Sequence, residues 1–185
     1  METKSEIRHR ILQLRDNLSP ADRKKSQILV TDRIIGHQWY YKAEELLIFI
    51  SNGSEIDTKE IIEDAFHHGK KVFVPKVMGE TMEFIKIAKG EELIPGYKGI
   101  LEPELTKSSE RFEYDNAKQN KVLMIMPGAA FDLTRNRIGY GKGFYDRYLQ
   151  DKEGLHTIAI GFDCQMVAKI MASEQDVKPD QVICL

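Results

Sequence analysis

One segment of the chain combines glycines with basic residues in a spacing that favours phosphate binding. It covers residues 127–149 and reads PGAAFDLTRNRIGYGKGFYDRYL. Its alternating glycines are Gly139, Gly141 and Gly143. Glycine permits positive φ angles and close backbone approach, so successive N–H groups can turn inward to hold phosphate oxygens. Because Arg137 and Lys142 add positive charge beside these glycines, the segment predicts a phosphate-binding loop.

The same spacing is also consistent with a flexible turn that carries solvated cations. G-x-G-x-G lacks the GK[ST] ending of a P-loop and the GxGxxG spacing of a dinucleotide-binding fold. Asp132 and Asp146 flank the glycines, and a phosphate-bound Mg²⁺ needs only one or two carboxylates. Asp146 lies just inside a predicted helix, where a carboxylate also compensates the helix dipole. The neighbouring Tyr145, Tyr148 and Leu149 have the spacing of a stripe that packs on the core.

Further acidic residues follow other predicted elements. Glu55 comes after the first predicted strand and a polar turn. It is either a surface glutamate or an acceptor for the N–H donors of a planar ligand. Glu174, Asp176 and Asp180 lie near the end of the chain, in a stretch typical of a solvated loop.

The elements that must position these residues follow an α/β pattern. Short apolar runs predict strands at residues 45–50, 71–75, 122–126, 156–161 and 182–185. Capping signals and periodicity predict helices at residues 3–18, 19–36, 57–68 and 141–150. Residues 82–87 suggest a hairpin arm, and the polar stretch 104–120 suggests a surface loop. Apolar strands separated by helices predict a mostly parallel sheet with helices on both faces and ligands at the carboxyl ends of its strands.

The first predicted helix has two distinct kinds of surface. Thr3 and Glu6 have the spacing of a capping box. Apolar residues recur at helical spacing at Ile7, Ile11, Leu14 and Leu18. Basic residues follow one edge of that stripe at Lys4, Arg8 and Arg15. The pattern predicts that the apolar stripe packs on the core, with the basic edge beside it.

Composition bounds the class of protein. The 185 residues suggest one domain over residues 1–185, and 42% hydrophobic with 30% charged residues are typical of a soluble globule. A net charge of −2 argues against a nucleic-acid binder, which usually collects a basic excess on one face. With no long apolar run and no signal-peptide pattern, we expect no membrane contact and a cytoplasmic location. Cys164 and Cys184 lack a metal-binding spacing and suggest buried free thiols.

PGAAFD followed by RIGYGKGFYDRYL resembles the 5-formyltetrahydrofolate cyclo-ligase family, also called methenyltetrahydrofolate synthetase. The family pattern is PG-x-x-FD and then R-x-G-x-G-x-G-[YF]-YD, and each fixed position is met here. The pair Lys4-x-x-x-Arg8 resembles its N-terminal nucleotide-contacting pair. Residues 49–58 are similar to its folate segment, residues 70–75 to the strand before its Pro-basic step, and residues 99–103 to its G-I-x-x-P turn. The resemblance spans nearly the whole chain, and the glycine segment is its most specific part.

The resemblance implies a role for each matching position. The ATP contacts that it implies are Lys4, Arg8, Arg137, Ile138, Gly139, Tyr140, Gly141, Lys142, Gly143, Phe144 and Tyr145. Its catalytic cations are Arg137 and Lys142. Its folate contacts are Ile50, Glu55, Tyr140 and Phe144, and its Mg²⁺ ligands are Asp146 and Asp176. It also implies an α/β fold similar to that of sugar-phosphate isomerases and CoA transferases.

Two positions depart from the family pattern. Gln175 stands where many members have histidine, so any role of that histidine is absent or reassigned here. Cys184 stands where many members end the last strand with threonine.

The implied reaction is the ATP- and Mg²⁺-dependent conversion of 5-formyltetrahydrofolate to 5,10-methenyltetrahydrofolate. Transfer of the γ-phosphoryl group to the formyl oxygen makes phosphate the leaving group. N10 then attacks the formyl carbon, and ADP and phosphate are released. Such a reaction needs positioning and charge neutralisation more than it needs a protein nucleophile.

The residues alone leave other functions open. One is a sugar-phosphate isomerase or an acyl-CoA transferase of the same fold class, in which Glu55 would be the nucleophile of a CoA transferase. Another is a non-catalytic sensor that binds nucleotide or folate and releases no phosphate. In each case the partners are small molecules, and we expect a monomer or a weak homodimer.

Overall fold

The computed structural model describes residues 2–115, 121–152 and 154–185. The helices are α1 (Lys4–Asp16), α2 (Pro20–Ile35), α3 (Gln38–Lys42), α4 (Lys59–His67) and α5 (Phe144–Leu149). The longer strands are β1 (Glu45–Ile48), β2 (Lys71–Met78), β3 (Thr81–Ile87), β6 (Val122–Met126), β9 (His156–Gly161) and β11 (Gln181–Cys184). The short strands are β4 (Ile94–Pro95), β5 (Leu101–Glu102), β7 (Ala130–Asp132), β8 (Arg137–Ile138) and β10 (Met166–Val167).

The six longer strands form one sheet in the order β11-β9-β6-β1-β2-β3. All neighbours pair in parallel except β2 and β3, which form an antiparallel hairpin. The mostly parallel sheet and the hairpin arm at residues 82–87 are therefore confirmed. Because the chain enters the sheet at β1 and later crosses to β6 on the other side, the strand order reverses between β1 and β6. The carboxyl ends of these two strands flank the crevice where α/β sheets usually bind ligands.

Both faces of the sheet are covered, as the apolar strands predicted. Leu46 and Ile48 face a core cluster that includes residues of α2, α3 and α4, whereas Leu47 faces a second cluster that includes Leu149 of α5. This alternation follows from the two-residue period of a strand. A third cluster packs α1 on the small sheet β10-β7-β8. This sheet was not predicted, because strands of two or three residues are too short to give a recognisable sequence pattern.

Several boundaries differ from the predictions for local reasons. β2 extends past residue 75 to Met78 because β3 pairs with it along its whole length. The helix predicted over residues 141–150 begins only at Phe144, because Gly141 and Gly143 have φ angles of 94° and 63° and interrupt helical geometry. α4 begins at Lys59, whose N–H donates to the Asp57 carboxylate at 3.0 Å.

Part of the predicted surface loop at residues 104–120 forms backbone hydrogen bonds with β3 and packs on the sheet. The backbone N–H of Phe112 donates to the Phe84 carbonyl at 2.8 Å, and the N–H of Lys86 donates to Glu110 at 2.9 Å. Phe112 also packs edge-on against Phe73, with ring centroids 5.4 Å apart. Residues 116–120 lie outside the described part of the chain. Within the described part, no helix is long and apolar enough to cross a membrane.

Candidate functional site

Helix α1 delivers basic side chains to the glycine segment. Ile7 and Ile11 are buried as predicted, but Leu14 is 49% exposed, so its place in the packed stripe was wrong. Instead Arg15 is only 6% exposed. The helix is rotated so that the edge carrying Arg8 and Arg15 faces inward, because these side chains find acceptors there.

Two contacts tie the start of α1 to residues far away in sequence. The Nε of Arg8 donates to the Gly139 carbonyl oxygen at 2.8 Å. The ammonium of Lys4 forms a short ion pair with the Asp176 carboxylate. Burial alone would raise the pKa of Asp176, but the hydrogen bonds from Lys4 and Ser173 lower it below its usual value. The structure thus brings the predicted N-terminal cations, the glycine segment and the late acidic loop together.

Arg137 and Asp146 form a second ion pair beside the glycines. The Arg137 Nη2 and Asp146 Oδ1 atoms are 2.9 Å apart, and the Arg137 side chain is only 3% exposed. The Arg137 guanidinium also lies 5.7 Å from the centroid of the Tyr145 ring. Its buried Nε has no hydrogen-bond partner among the described residues. A cation of this kind has donor capacity left for an anionic ligand.

The two predicted magnesium ligands lie near each other. Asp146 accepts a hydrogen bond at 3.1 Å from the N–H of Val177, the residue that follows Asp176. The described residues contain no group of three or more His, Cys, Asp or Glu side chains arranged to hold a metal. A phosphate-bound Mg²⁺ needs only one or two carboxylates and keeps several waters. Asp146 and Asp176 are ion-paired with Arg137 and Lys4 in this structure, so Mg²⁺ bound together with phosphate remains a prediction.

The backbone at Gly141 adopts a conformation that favours glycine. Gly141 has a φ of 94°, and a Cβ placed there would lie 3.6 Å from the Arg8 guanidinium. Lys142 next to it is exposed. Phe144 packs edge-on against Tyr97, with ring centroids 5.5 Å apart, so an aromatic pair borders the glycine loop. The sequence did not single out Tyr97, because its contact with Phe144 spans distant segments.

Glu55 and Tyr140 form a second cluster of hydrogen-bonded side chains. The Tyr140 hydroxyl donates a short hydrogen bond to the Glu55 carboxylate, and the N–H of Asn52 donates to the same carboxylate at 2.8 Å. Arg15 donates to the Tyr140 hydroxyl at 2.7 Å. Burial raises the pKa of Glu55, an effect that these hydrogen bonds and the charge of Arg15 only partly oppose. Arg15 was noted on the basic edge of α1 but had no assigned role.

Ile50 does not join this cluster in the structure. It lines a separate cavity of about 570 Å³ beside α4. Other apolar residues lining that cavity are Ile62, Phe66, Ile87, Leu93 and Leu101. Tyr140 and Phe144 lie on the glycine segment and Glu55 bonds Tyr140, so the structure brings Glu55 to that segment, and folate contact by any of these residues or by Ile50 stays a prediction.

Asp132 stabilises its own turn, and both of its carboxylate oxygens accept hydrogen bonds there. Its carboxylate accepts hydrogen bonds from Thr134, Asn136 and the N–H of Ile170, at 2.8 to 3.0 Å. Burial alone would raise its pKa, but these donors lower the pKa to about 2. Asp132 therefore holds the β7–β8 turn in place and is not a metal candidate here.

The two cysteines are free and half-buried. Burial raises the pKa of Cys164 and raises that of Cys184 to about 12. Thiols with raised pKa values are poor nucleophiles at neutral pH, which agrees with a packing role.

The family model for the 5-formyltetrahydrofolate cyclo-ligase family matches residues 1–184. The chain belongs to this family. It is accordingly an enzyme of the ligase class. The mouse 5-formyltetrahydrofolate cyclo-ligase is 28% identical over 90% of this chain and 85% of its own length. The enzyme of the same name from Escherichia coli K12 is 28% identical over 94% of this chain and 95% of its own length.

Solved structures of similar proteins have the same fold. The NMR structure of 5,10-methenyltetrahydrofolate synthetase from Aquifex aeolicus superposes with a TM-score of 0.81 at 26% identity, covering 97% of this chain and 88% of that one. The synthetase from Mycoplasma pneumoniae superposes with a TM-score of 0.77 at 20% identity, covering 98% of both chains, and supports the fold alone.

Proposed function

We propose that this cyclo-ligase converts 5-formyltetrahydrofolate to 5,10-methenyltetrahydrofolate with ATP and Mg²⁺, and releases ADP and phosphate. One observation carries the proposal. A cation-lined glycine loop and a partly buried, hydrogen-bonded glutamate meet at the carboxyl ends of β6 and β1, where the strand order reverses. The glycine loop with its cations suits a triphosphate, and the glutamate suits the N–H edge of a pterin. Membership of the cyclo-ligase family supports the same pair of ligands.

The phosphate side of the site comprises α1 and the glycine loop. Arg8 is held at the Gly139 carbonyl, and Arg137 keeps an unpartnered buried Nε. We assign both to the ATP phosphates, together with Lys4 and the exposed Lys142. The remaining ATP contacts in this proposal come from residues 138–145. Asp146 and Asp176 are the proposed Mg²⁺ ligands, and a bound Mg²⁺ would neutralise charge on the phosphates.

The folate side of the site comprises Glu55, Tyr140 and Phe144. A carboxylate accepts hydrogen bonds only, so ionised Glu55 is suited to the N–H donors of a pterin ring. Phe144, with its edge-on partner Tyr97, supplies an aromatic wall. Ile50 lies on the cavity side of the same turn and remains a proposed contact for folate beyond the pterin.

The chemistry in this proposal depends on charge and position. The formyl oxygen attacks the γ-phosphorus, ADP leaves, and the formyl carbon becomes electrophilic. N10 attacks that carbon and gives up its proton, and phosphate leaves with the former formyl oxygen. Arg137 and Lys142 are the proposed catalytic cations, since they stabilise charge on the transferred group as it moves.

An absorbance assay for methenyltetrahydrofolate tests the proposal directly. Product should form from 5-formyltetrahydrofolate only with ATP and Mg²⁺ together, with one ADP and one phosphate released per turnover. Turnover of an acyl-CoA or a sugar phosphate, with no methenyltetrahydrofolate, would favour the transferase or isomerase function. Binding of both ligands without phosphate release would indicate a sensor. A single domain over residues 1–185, the cytoplasmic location and the monomer or weak homodimer remain predictions.

A further inference from the structure

Arg15 connects three segments that are distant in sequence. Its Nε donates to the Ser54 hydroxyl at 2.9 Å, and its second donor reaches the Tyr140 hydroxyl at 2.7 Å. The Arg15 carbonyl and the Ser54 carbonyl both accept hydrogen bonds from Arg23 of α2, at 2.6 and 2.7 Å. Arg15 is only 6% exposed. Helix α1, the turn that carries Glu55 and the glycine loop are therefore fixed to one another through this guanidinium.

The chemistry of arginine sets the direction of the hydrogen bonds beyond it. A guanidinium donates and never accepts, and it stays charged at all working pH values. Where Arg15 donates to the Tyr140 hydroxyl oxygen, the phenolic proton is directed away from Arg15. The Glu55 carboxylate receives that proton in a short hydrogen bond. The chain Arg15, Tyr140, Glu55 thus has one direction, with Glu55 as its final acceptor.

We propose that Arg15 is a positioning residue that, through Tyr140, keeps Glu55 ionised and oriented as the hydrogen-bond acceptor for the folate pterin. This inference rests on the proposed folate role of Glu55. In this inference Arg15 acts through Tyr140 and is assigned no contact of its own with the substrate. Without Arg15, the Tyr140 hydroxyl could accept a proton from a neutral Glu55, and the acceptor face offered to the pterin would be lost.

The electrostatics around Glu55 agree with this role. Burial is the largest influence on Glu55 and raises its pKa, whereas the charge of Arg15 acts in the opposite direction. Burial and the nearby Glu55 charge raise the pKa of Tyr140, so the phenol stays neutral and able to donate. Burial, and after it the Glu55 charge, also raise the pKa of Tyr145. Further charged groups at the turn include Arg23 and Asp16, which contact Ser54, and Asp57, which accepts a hydrogen bond from the Ser51 hydroxyl. Arg15 is the cation that both acts on the Glu55 charge and bonds its phenol partner.

The test compares Arg15→Gln and Arg15→Lys with Arg10→Gln. Arg10 lies on the same helix and pairs with the exposed Glu2, so it controls for the loss of a helical arginine. In the ligand-free proteins, NMR of carbon-13-labelled glutamate follows the Glu55 carboxyl through a pH titration. We expect its pKa to rise in Arg15→Gln, to rise less in Arg15→Lys, and to stay unchanged in Arg10→Gln.

Ligand measurements then link the titration to folate. In Arg15→Gln the Kd for 5-formyltetrahydrofolate at pH 7 should rise about tenfold or more, the loss expected when a charge-assisted hydrogen-bond chain is broken. The apparent KM for ATP should stay within about twofold of the wild-type value. If Arg15→Gln folds poorly, Tyr140→Phe removes the same link without changing α1, and it should shift the Glu55 titration in the same direction.

The outcomes separate this inference from the proposed function. An unchanged Glu55 titration in Arg15→Gln or Tyr140→Phe overturns the inference, even if thermal stability falls. A shifted Glu55 titration in Arg15→Gln and Tyr140→Phe with unchanged folate affinity in both, together with unchanged folate affinity in Glu55→Gln, overturns the folate role of Glu55 and with it the reason for positioning it. A shifted titration with weakened folate binding and unchanged ATP behaviour supports both.

Discussion

The substitution Gly141→Ala tests whether the glycine loop approaches a ligand. Gly141 has a φ of 94°, and the added methyl would meet only the Arg8 guanidinium, at an ordinary contact distance of 3.6 Å. A non-glycine residue at positive φ costs about 1–2 kcal/mol, and 1 kcal/mol shifts the Tm of a domain of this size by about 2–4 °C. We therefore expect the Tm to fall by about 2–8 °C, without a clash inside the protein.

Gly69→Ala is the matched control for that strain. Gly69 has a φ of 70°, and its added methyl would meet nothing within 4 Å. Both variants should lose similar stability. If the loop backbone lies against phosphate and folate, the Gly141 methyl occupies ligand space, and a displacement of about 1 Å costs on the order of 100-fold in turnover. Gly69→Ala should keep its rate within about twofold.

Thermal melts and the absorbance assay on the same preparations decide the matter. Equal losses of Tm with a rate loss of about 100-fold or more in Gly141→Ala alone support the phosphate-binding loop. If Gly141→Ala forms methenyltetrahydrofolate at the rate of Gly69→Ala, the reasoning is refuted, and the loop is then a turn that happens to carry cations.

Three further predictions concern charged residues. Arg8→Ala should raise the apparent KM for ATP about tenfold to 100-fold, while Arg10→Ala should leave it unchanged. Equal KM values in the two variants would show that Arg8 is merely a surface residue. Asp146→Asn should abolish Mg²⁺-dependent turnover while leaving the fold intact, as measured by a Mg²⁺ titration at fixed ATP, and wild-type rates at saturating Mg²⁺ would exclude a metal role. Asp132→Asn should cost roughly 2 kcal/mol at pH 7. Because the pKa of Asp132 is lowered from 3.8 to about 2, that contribution is present above about pH 4 and is lost as the pH falls to about 2, so chemical denaturation of both proteins should converge there.

Several features of the site could be predicted from the sequence because each depends on local pattern. The capping box of Thr3 and Glu6 is present as predicted. The apolar runs at β6 and β9 form buried parallel strands. The glycine segment is specific enough to indicate the family, since it specifies backbone conformation over a few consecutive residues. Boundaries were less accurate where a partner strand or a positive φ decided them, as at Met78 and Phe144.

Only the tertiary structure decided which side chains meet. The contact between Arg15 and Tyr140 joins residues 125 positions apart, and helical periodicity could not show that Arg15 faces inward in place of Leu14. Asp132 and Asp146 both flank the glycines in sequence, yet one serves its own turn and the other pairs with Arg137. A sequence pattern fixes the spacing of side chains along one element. Their partners depend on how separate elements pack, because burial selects the rotation of each helix in which its polar groups find hydrogen bonds.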